Sequence, residues 1–412
     1  MAFAALIAAY QEAEDGAAGL RAMLPMAGRS LLEHQVRRAI EAGASHAVVL
    51  VERVPAELSA ALDRLKRDGI AVRLARDPMD AADHFHPEEA VLLVADGLVA
   101  APDCFEAMAA RTAPTILVVA DTPDNTEFER VDASHRWAGL ALTTVESVAA
   151  TAQMLGEWDL QSTLMRRIVQ GGADFLPVDG DAGVVVDASE AVLLAEGKDD
   201  SRDAGHTMLR RNSVQVESWP ERFLYGPIAI RVAPMLLDRR LDAIWLRGFA
   251  ILLTAAGAAA IWMTWLWTGL ILLLLAGPID AIAGRIDLAQ LRDYEGSWEL
   301  RAVRGFAQAT AMLAMGSLAW AETGEAAYPV MAIMAILLLV LARRASVQIR
   351  KFPNFESRLM PWLADGNAAI WLIIPFAAAA LWYYWPIAVV IYAYITLILQ
   401  QNIIREGVRN RD

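Results

Sequence analysis

Six apolar stretches crowd into roughly the last 170 residues of this 412-residue chain, and nothing like them occurs before. They run over 245–262, 264–283, 302–321, 328–342, 368–385 and 386–402. A hydrocarbon layer takes about 20 helical residues to cross, which is close to the length of each stretch. Lipid offers no water to backbone N–H and C=O groups, so such runs are expected as helices that satisfy their own hydrogen bonds. The chain therefore divides into a polar N-terminal half and a membrane-embedded C-terminal half.

Basic residues beside the stretches set the expected orientation. Arg231, Arg239, Arg240 and Arg247 lie at the entry of the first. Arg285, Arg292, Arg301 and Arg304 lie between the second and third, and Arg343, Arg344, Arg350, Lys351 and Arg358 between the fourth and fifth. Arg405, Arg409 and Arg411 follow the sixth, whereas the alternate loops, such as Glu322 to Glu325, carry no basic residue. The bias predicts a chain that crosses its membrane several times with both termini in the cytoplasm; the expected setting is a bacterial-type inner (cytoplasmic) membrane.

The net charge of −13 arises mainly from the N-terminal half. An acidic surface repels phosphate backbones, so nucleic acid is not an expected partner. Cys104 is the only cysteine, which excludes an intrachain disulfide and a thiolate zinc site. The apolar start, Ala2 to Ala9, has no basic leader and runs into Glu12, Glu14 and Asp15, so it reads as a buried first strand and not as a signal peptide.

In the N-terminal half, short apolar runs at Ala5–Ala9, Ala47–Val51, Ala71–Leu74, Ala90–Val94 and Thr115–Val119 alternate with helical periodicity over Ser30–Ala42 and Ala56–Asp68. That alternation predicts an α/β domain with a parallel sheet wrapped by helices, whose ligands gather at the strand ends. Asp159 is placed as a helix N-cap, and Trp137 to Gly139 as a core loop. His84 and His86, beside Asp80, Asp83, Glu88 and Glu89, have metal-ligand types but read as a solvated turn. Residues 191–226 read as a linker with one connecting helix, and Pro227 to Leu241 as an interfacial helix with its arginines on one face.

The run Leu24-Pro25-Met26-Ala27-Gly28-Arg29-Ser30-Leu31-Leu32-Glu33, followed by Ala42-Gly43 and Val48 to Val51, resembles the sugar-phosphate nucleotidyltransferase family. The resemblance implies a Rossmann-like fold over residues 1–190. It makes Asp96, in Val94-Ala95-Asp96-Gly97, and Asp187, in Val184 to Glu190, counterparts of the metal-binding aspartates. The segment after the first strand reads Ala8-Ala9-Tyr10-Gln11-Glu12-Ala13-Glu14-Asp15-Gly16 in place of a glycine-rich phosphate loop. Tyr10 and three acids oppose a triphosphate, so Asp96 and Asp187 read as a vestigial nucleotide site on a retained scaffold.

The densest polar segment of the membrane half runs from Asp280 to Arg304. Its position resembles the signature of the CDP-alcohol phosphotransferase family, D-x-x-D-G-x-x-A-R followed by G-x-x-x-D-x-x-x-D. That family has six spans, and some members carry a nucleotidyltransferase-like domain ahead of them. The resemblance implies a six-helix all-α membrane domain over 227–412, a homodimer, and transfer of a phosphoalcohol group from a CDP-activated lipid or CDP-alcohol to an alcohol. In register, Asp280 takes the second aspartate position and Arg285 the arginine, while Gly277, Ala281, Gly284, Leu300 and Arg304 depart from the pattern.

Two readings stand. An active transferase would use Asp280 and Glu299 as catalytic acids, with Asp280, Asp287 and Glu295 holding Mg2+ or Mn2+. Arg285, Arg301 and Arg304 would then bind the substrate. The alternative is a pseudoenzyme without a cofactor, in which the arginines bind membrane lipid head groups or the fold engages a partner enzyme. The spans lack charges along a pathway, which argues against a transporter or channel.

Overall fold

The computed structural model describes residues 2–14, 19–112, 114–154, 159–179, 184, 191–211, 218–239, 241–289, 298–349 and 360–409. The chain divides into two compact units, Met1–Met208 and Leu209–Asp412.

The first unit is built on a seven-stranded sheet. Its strands are β1 (Phe3–Ala8), β4 (Ala47–Leu50), β5 (Val72–Ala75), β6 (Ala90–Val94), β8 (Thr115–Ala120), β9 (His135–Thr144) and β10 (Asp174–Pro177), in the order β10-β8-β9-β6-β1-β4-β5. Among the described residues two small pairs complete the strands: β2 (Pro25–Met26) with β3 (Arg29–Ser30), and β7 (Leu98–Ala100) with β11 (Val192–Leu194). The helices are α1 (Leu31–Glu41), α2 (Ala56–Arg67), α3 (Pro78–Asp83), α4 (Pro102–Ala109), α5 (Val145–Met154), α6 (Leu160–Gln170) and α7 (Lys198–Arg211). β1 and β6 are buried along their whole length, as expected where helices cover both sheet faces and alternation disappears.

The five predicted strands and two predicted helices are all present. The sheet, however, is mixed and not parallel, because β9 runs antiparallel to both β6 and β8. The reason is the connection: residues 121–134 carry no crossover helix, and a return without one leaves the next strand antiparallel. Trp137 to Gly139 accordingly lies inside β9 and not in a loop. Local chemistry starts α1, where Ser30 and Glu33 form a reciprocal capping box. Glu33, fully buried, then takes two hydrogen bonds from Arg64 of α2 at 3.0 and 2.8 Å, joining the two helices.

The second unit is helical. A single π-helical turn, Glu221–Tyr225, leads into α8 (Gly226–Asp238). Then come α9 (Ala243–Trp262), α10 (Leu266–Ala289), α11 (Trp298–Thr323), α12 (Ala327–Ile349), α13 (Gly366–Trp371), α14 (Ile373–Ala378) and α15 (Trp385–Arg409). Among the described residues four segments, not the expected six, are long and apolar enough to cross a membrane: Ala243–Trp262, Leu266–Asp287, Ala327–Ile349 and Trp382–Arg405. Large apolar side chains on them stand on the outside, among them Leu252, Leu275, Leu337 and Ile391, which suits lipid as the solvent.

The two missing spans have physical causes. The third expected stretch forms a long helix, α11, but Arg301, Arg304, Gln308, Thr310 and Ser317 make it too polar to qualify. The fifth gives only a short apolar helix, Gly366–Ala378, interrupted at Leu372 into α13 and α14 and ended before Ala380, whose φ is +58°. α9 and α10 cross at Gly257 and Gly269, where a Cβ on Gly257 would come within 2.9 Å of the Gly269 carbonyl. Small residues there let the two backbones touch.

Candidate functional site

α10 carries Asp280, Arg285 and Asp287, and α11 carries Glu299, Arg301 and Arg304. Seven residues separate the two aspartates, which places them on one stripe of α10. Each nevertheless faces a different arginine. Arg304 of α11 donates from Nη1 to Asp280. Arg247 of α9 donates to Asp287 at 2.8 Å, with both side chains almost wholly buried. Charges removed from water are tolerated only when paired, and these acids are paired with guanidinium groups.

The Asp280–Arg304 pair belongs to a larger network. Arg304 Nη2 donates to Asn367 Oδ1 of α13 at 3.2 Å, and Gln308 Nε2 donates to the same oxygen at 3.3 Å. Asn367 Nδ2 in turn donates to Glu221 Oε1 at 3.1 Å. Four residues further along each helix, Trp371 Nε1 donates to the Tyr225 hydroxyl at 2.6 Å. Tyr225 stands directly over Gly277. A Cβ there would overlap the hydroxyl oxygen. Arg285 is buried, and its Nη2 would lie 3.4 Å from a Cβ added at Gly226.

Among the candidate metal ligands, Asp280 and Asp287 are thus held by arginines on separate helices, and Glu295 lies outside the described residues. Glu299 is exposed on the first turn of α11 and Arg301 is half-buried. Among the described residues no group of three or more His, Cys, Asp or Glu is placed to hold a metal. Sequence reasoning missed Tyr225, Glu221, Asn367 and Arg247 as site residues. Asn367 at the edge of an apolar run and Gly277 inside a helix were the available signals, since a buried amide and a mid-helix glycine both mark a close neighbour.

In the first unit, Asp96 sits just past the end of β6 and is 2% exposed. Its Oδ2 accepts the backbone N–H groups of Tyr10 at 2.9 Å and Gln11 at 2.8 Å, while Oδ1 is buried without a hydrogen bond. Burial pushes the carboxyl up to about 7, against the opposing pull of those two N–H groups and of Arg21. Tyr10 donates its hydroxyl to Asp159, which also caps α6 by accepting from Gln161 and Ser162. Burial, and then the neighbouring Asp159, raise the Tyr10 phenol. The Tyr10 and Gln11 N–H groups in the segment after β1 therefore serve Asp96. Asp187 lies outside the described residues.

The paired His84 and Asp80, 3.6 Å apart, and His86, which accepts from the Glu88 N–H at 3.4 Å, form a surface turn beside β6. No protein-family model matches this chain, and no curated protein matches its sequence.

Proposed function

We propose that this is an integral membrane protein of lipid head-group metabolism that binds a phosphate-bearing head group at the arginine-rich end of α10 and α11, without metal-dependent transfer. The observation that carries the reading is the engagement of Asp280 by Arg304. Asp280 is the one signature acid in register, and its charge is already met by a guanidinium that is itself held by Asn367. A divalent ion at Asp280 has to expel that cation or share its repulsion. Planar guanidinium groups suit phosphate oxygens, and Arg285, Arg301 and Arg304 supply three of them near the bilayer interface. In this reading both termini are cytoplasmic, the chain pairs as a homodimer, and the N-terminal unit is a nucleotidyltransferase-like scaffold.

The transferase reading retains one supporting observation: the Asp280 side chain keeps 27% of its surface open. Full-length protein reconstituted in nanodiscs with CDP-diacylglycerol, an alcohol acceptor and Mg2+ or Mn2+ separates the two. The expected result is no CMP release, together with retention of phosphate-bearing lipid that Arg285→Ala diminishes. CMP release abolished by Asp280→Ala overturns the proposal in favour of a transferase.

A further inference from the structure

The helix that approaches the membrane fills the end of the bundle with its own side chains. Glu221 and Tyr225, four residues apart, meet Asn367 and Trp371, also four residues apart, as two matched pairs. Both members of the α13 pair act as donors, and both members of the approaching pair act as acceptors. Tyr225 is 2% exposed, and its ring takes the volume into which a side chain at position 277 would project. Gly226 rests against Arg285, and Asn367 continues to Arg304 and Asp280.

Lifting the segment would uncover a set of donors beside Asp365, whose carboxylate stays bonded to the Ala368 N–H. Asn367 Nδ2 would lose Glu221, Trp371 Nε1 would lose the Tyr225 oxygen, and the Arg285 and Arg304 guanidiniums flank the vacated volume. Four donor groups, two of them cationic, suit an oxyanion with several acceptor oxygens and do not suit a metal ion. Resting on the head-group reading above, we infer that Asn367, Trp371, Arg285 and Arg304 line a phosphate-monoester site whose place Glu221 and Tyr225 now take.

The segment is suited to leaving. Glu221–Tyr225 is a π-helical turn, a form seldom longer than one turn and concentrated at functional sites. Pro220 and Pro227 bracket it and contribute no N–H to a helical ladder. Arg222 and Phe223, on the same turn, are exposed. The stopper is held by those two side-chain hydrogen bonds and by ring contacts of Trp219 and Tyr225 with Trp371 and of Phe223 with Trp362, so a competing anion replaces two hydrogen bonds while the ring contacts part.

The experiment uses full-length protein in phosphatidylcholine nanodiscs under three conditions: alone, with phosphatidic acid in the bilayer, and with inorganic phosphate in solution. Hydrogen exchange of residues 218–238 is followed by mass spectrometry, and phosphatidic acid affinity is measured for each variant. Phosphatidic acid is expected to raise exchange over 219–226 several-fold; an equal rise with inorganic phosphate identifies a free phosphate ligand instead of a lipid one. Tyr225→Phe removes one hydrogen bond from the stopper and is expected to tighten binding about fivefold. Asn367→Ala removes a donor from the site and is expected to weaken binding by a similar factor, even though it also frees Glu221. Binding that depends on Arg304 but is indifferent to Tyr225→Phe, with unchanged exchange over 219–226, overturns the stopper and leaves the head-group reading intact. Absence of binding in wild type and in Tyr225→Phe alike overturns both.

Discussion

Replacing Asp96 by asparagine tests how the end of β6 stores an ionisable group. Burial raises its carboxyl from 3.8 to about 7, roughly a thousandfold gain in proton affinity and ~4 kcal/mol of differential stability. The folded state holds the proton more tightly than the unfolded chain does. The stability linked to that proton is therefore complete below pH ~4, is lost as pH rises towards 7, and stays lost above it. The asparagine side chain carries no charge, so the variant escapes this loss, and the amide oxygen can still accept from Tyr10 and Gln11. The amide nitrogen takes the place of Oδ1, which has no hydrogen-bond partner, at a cost of about 1–2 kcal/mol. The net expectation at pH 8 is a gain of ~2–3 kcal/mol for Asp96→Asn, falling to zero or below near pH ~4. Hydrogen exchange of β1 and β6 amides in the full chain, corrected for intrinsic rates, reads this unit without the membrane helices. Equal protection of the two proteins at pH 8, or a gain that does not shrink towards acid, refutes the reasoning.

Other expectations follow from single contacts. Asp287→Ala strands the buried Arg247, so thermal unfolding of the membrane unit in detergent should show a loss of about 3–5 kcal/mol. The double change Arg247→Met with Asp287→Leu should recover most of it, since removing both charges leaves nothing uncompensated. Gly139 has φ +86°, and a Cβ there would lie 2.7 Å from Leu98 Cδ1. Gly139→Ala is thus expected to cost ~1–3 kcal/mol in chemical unfolding of the first unit, and pairing it with Leu98→Ala should relieve only the contact and not the backbone strain. Ser30→Ala removes the α1 cap and should cost ~1 kcal/mol by the same assay.

Legibility differs sharply between local and long-range features. The ends of β6 can be read to within a residue because Ala90 to Ala95 is an unbroken apolar run between Glu89 and Asp96. The start of α1 is legible to within a residue because it is a capping box carried by Ser30 and Glu33 alone. β9 escapes because Gly139 interrupts a strand pattern and no neighbouring residue announces its two antiparallel partners. The fifth span fails because an apolar run records hydropathy and not the helix end at Ala378. Asp280, Arg285 and Arg304 are legible as a polar cluster, but their partners are not. Arg304 meets Asn367, 63 positions away, and Trp371 meets Tyr225, 146 positions away.

Periodicity, apolar run length and capping chemistry act within a few residues, so the sequence alone determined an α/β unit followed by a helical unit with apolar spans. It also determined that the polar segment from Asp280 to Arg304 interrupts those spans. Which acid meets which arginine, and which side chain occupies the space over Gly277, depended on how helices pack across the bundle. Pairing a buried charge requires a partner at atomic distance, and only the tertiary structure brings residues so remote in the chain within reach of one another.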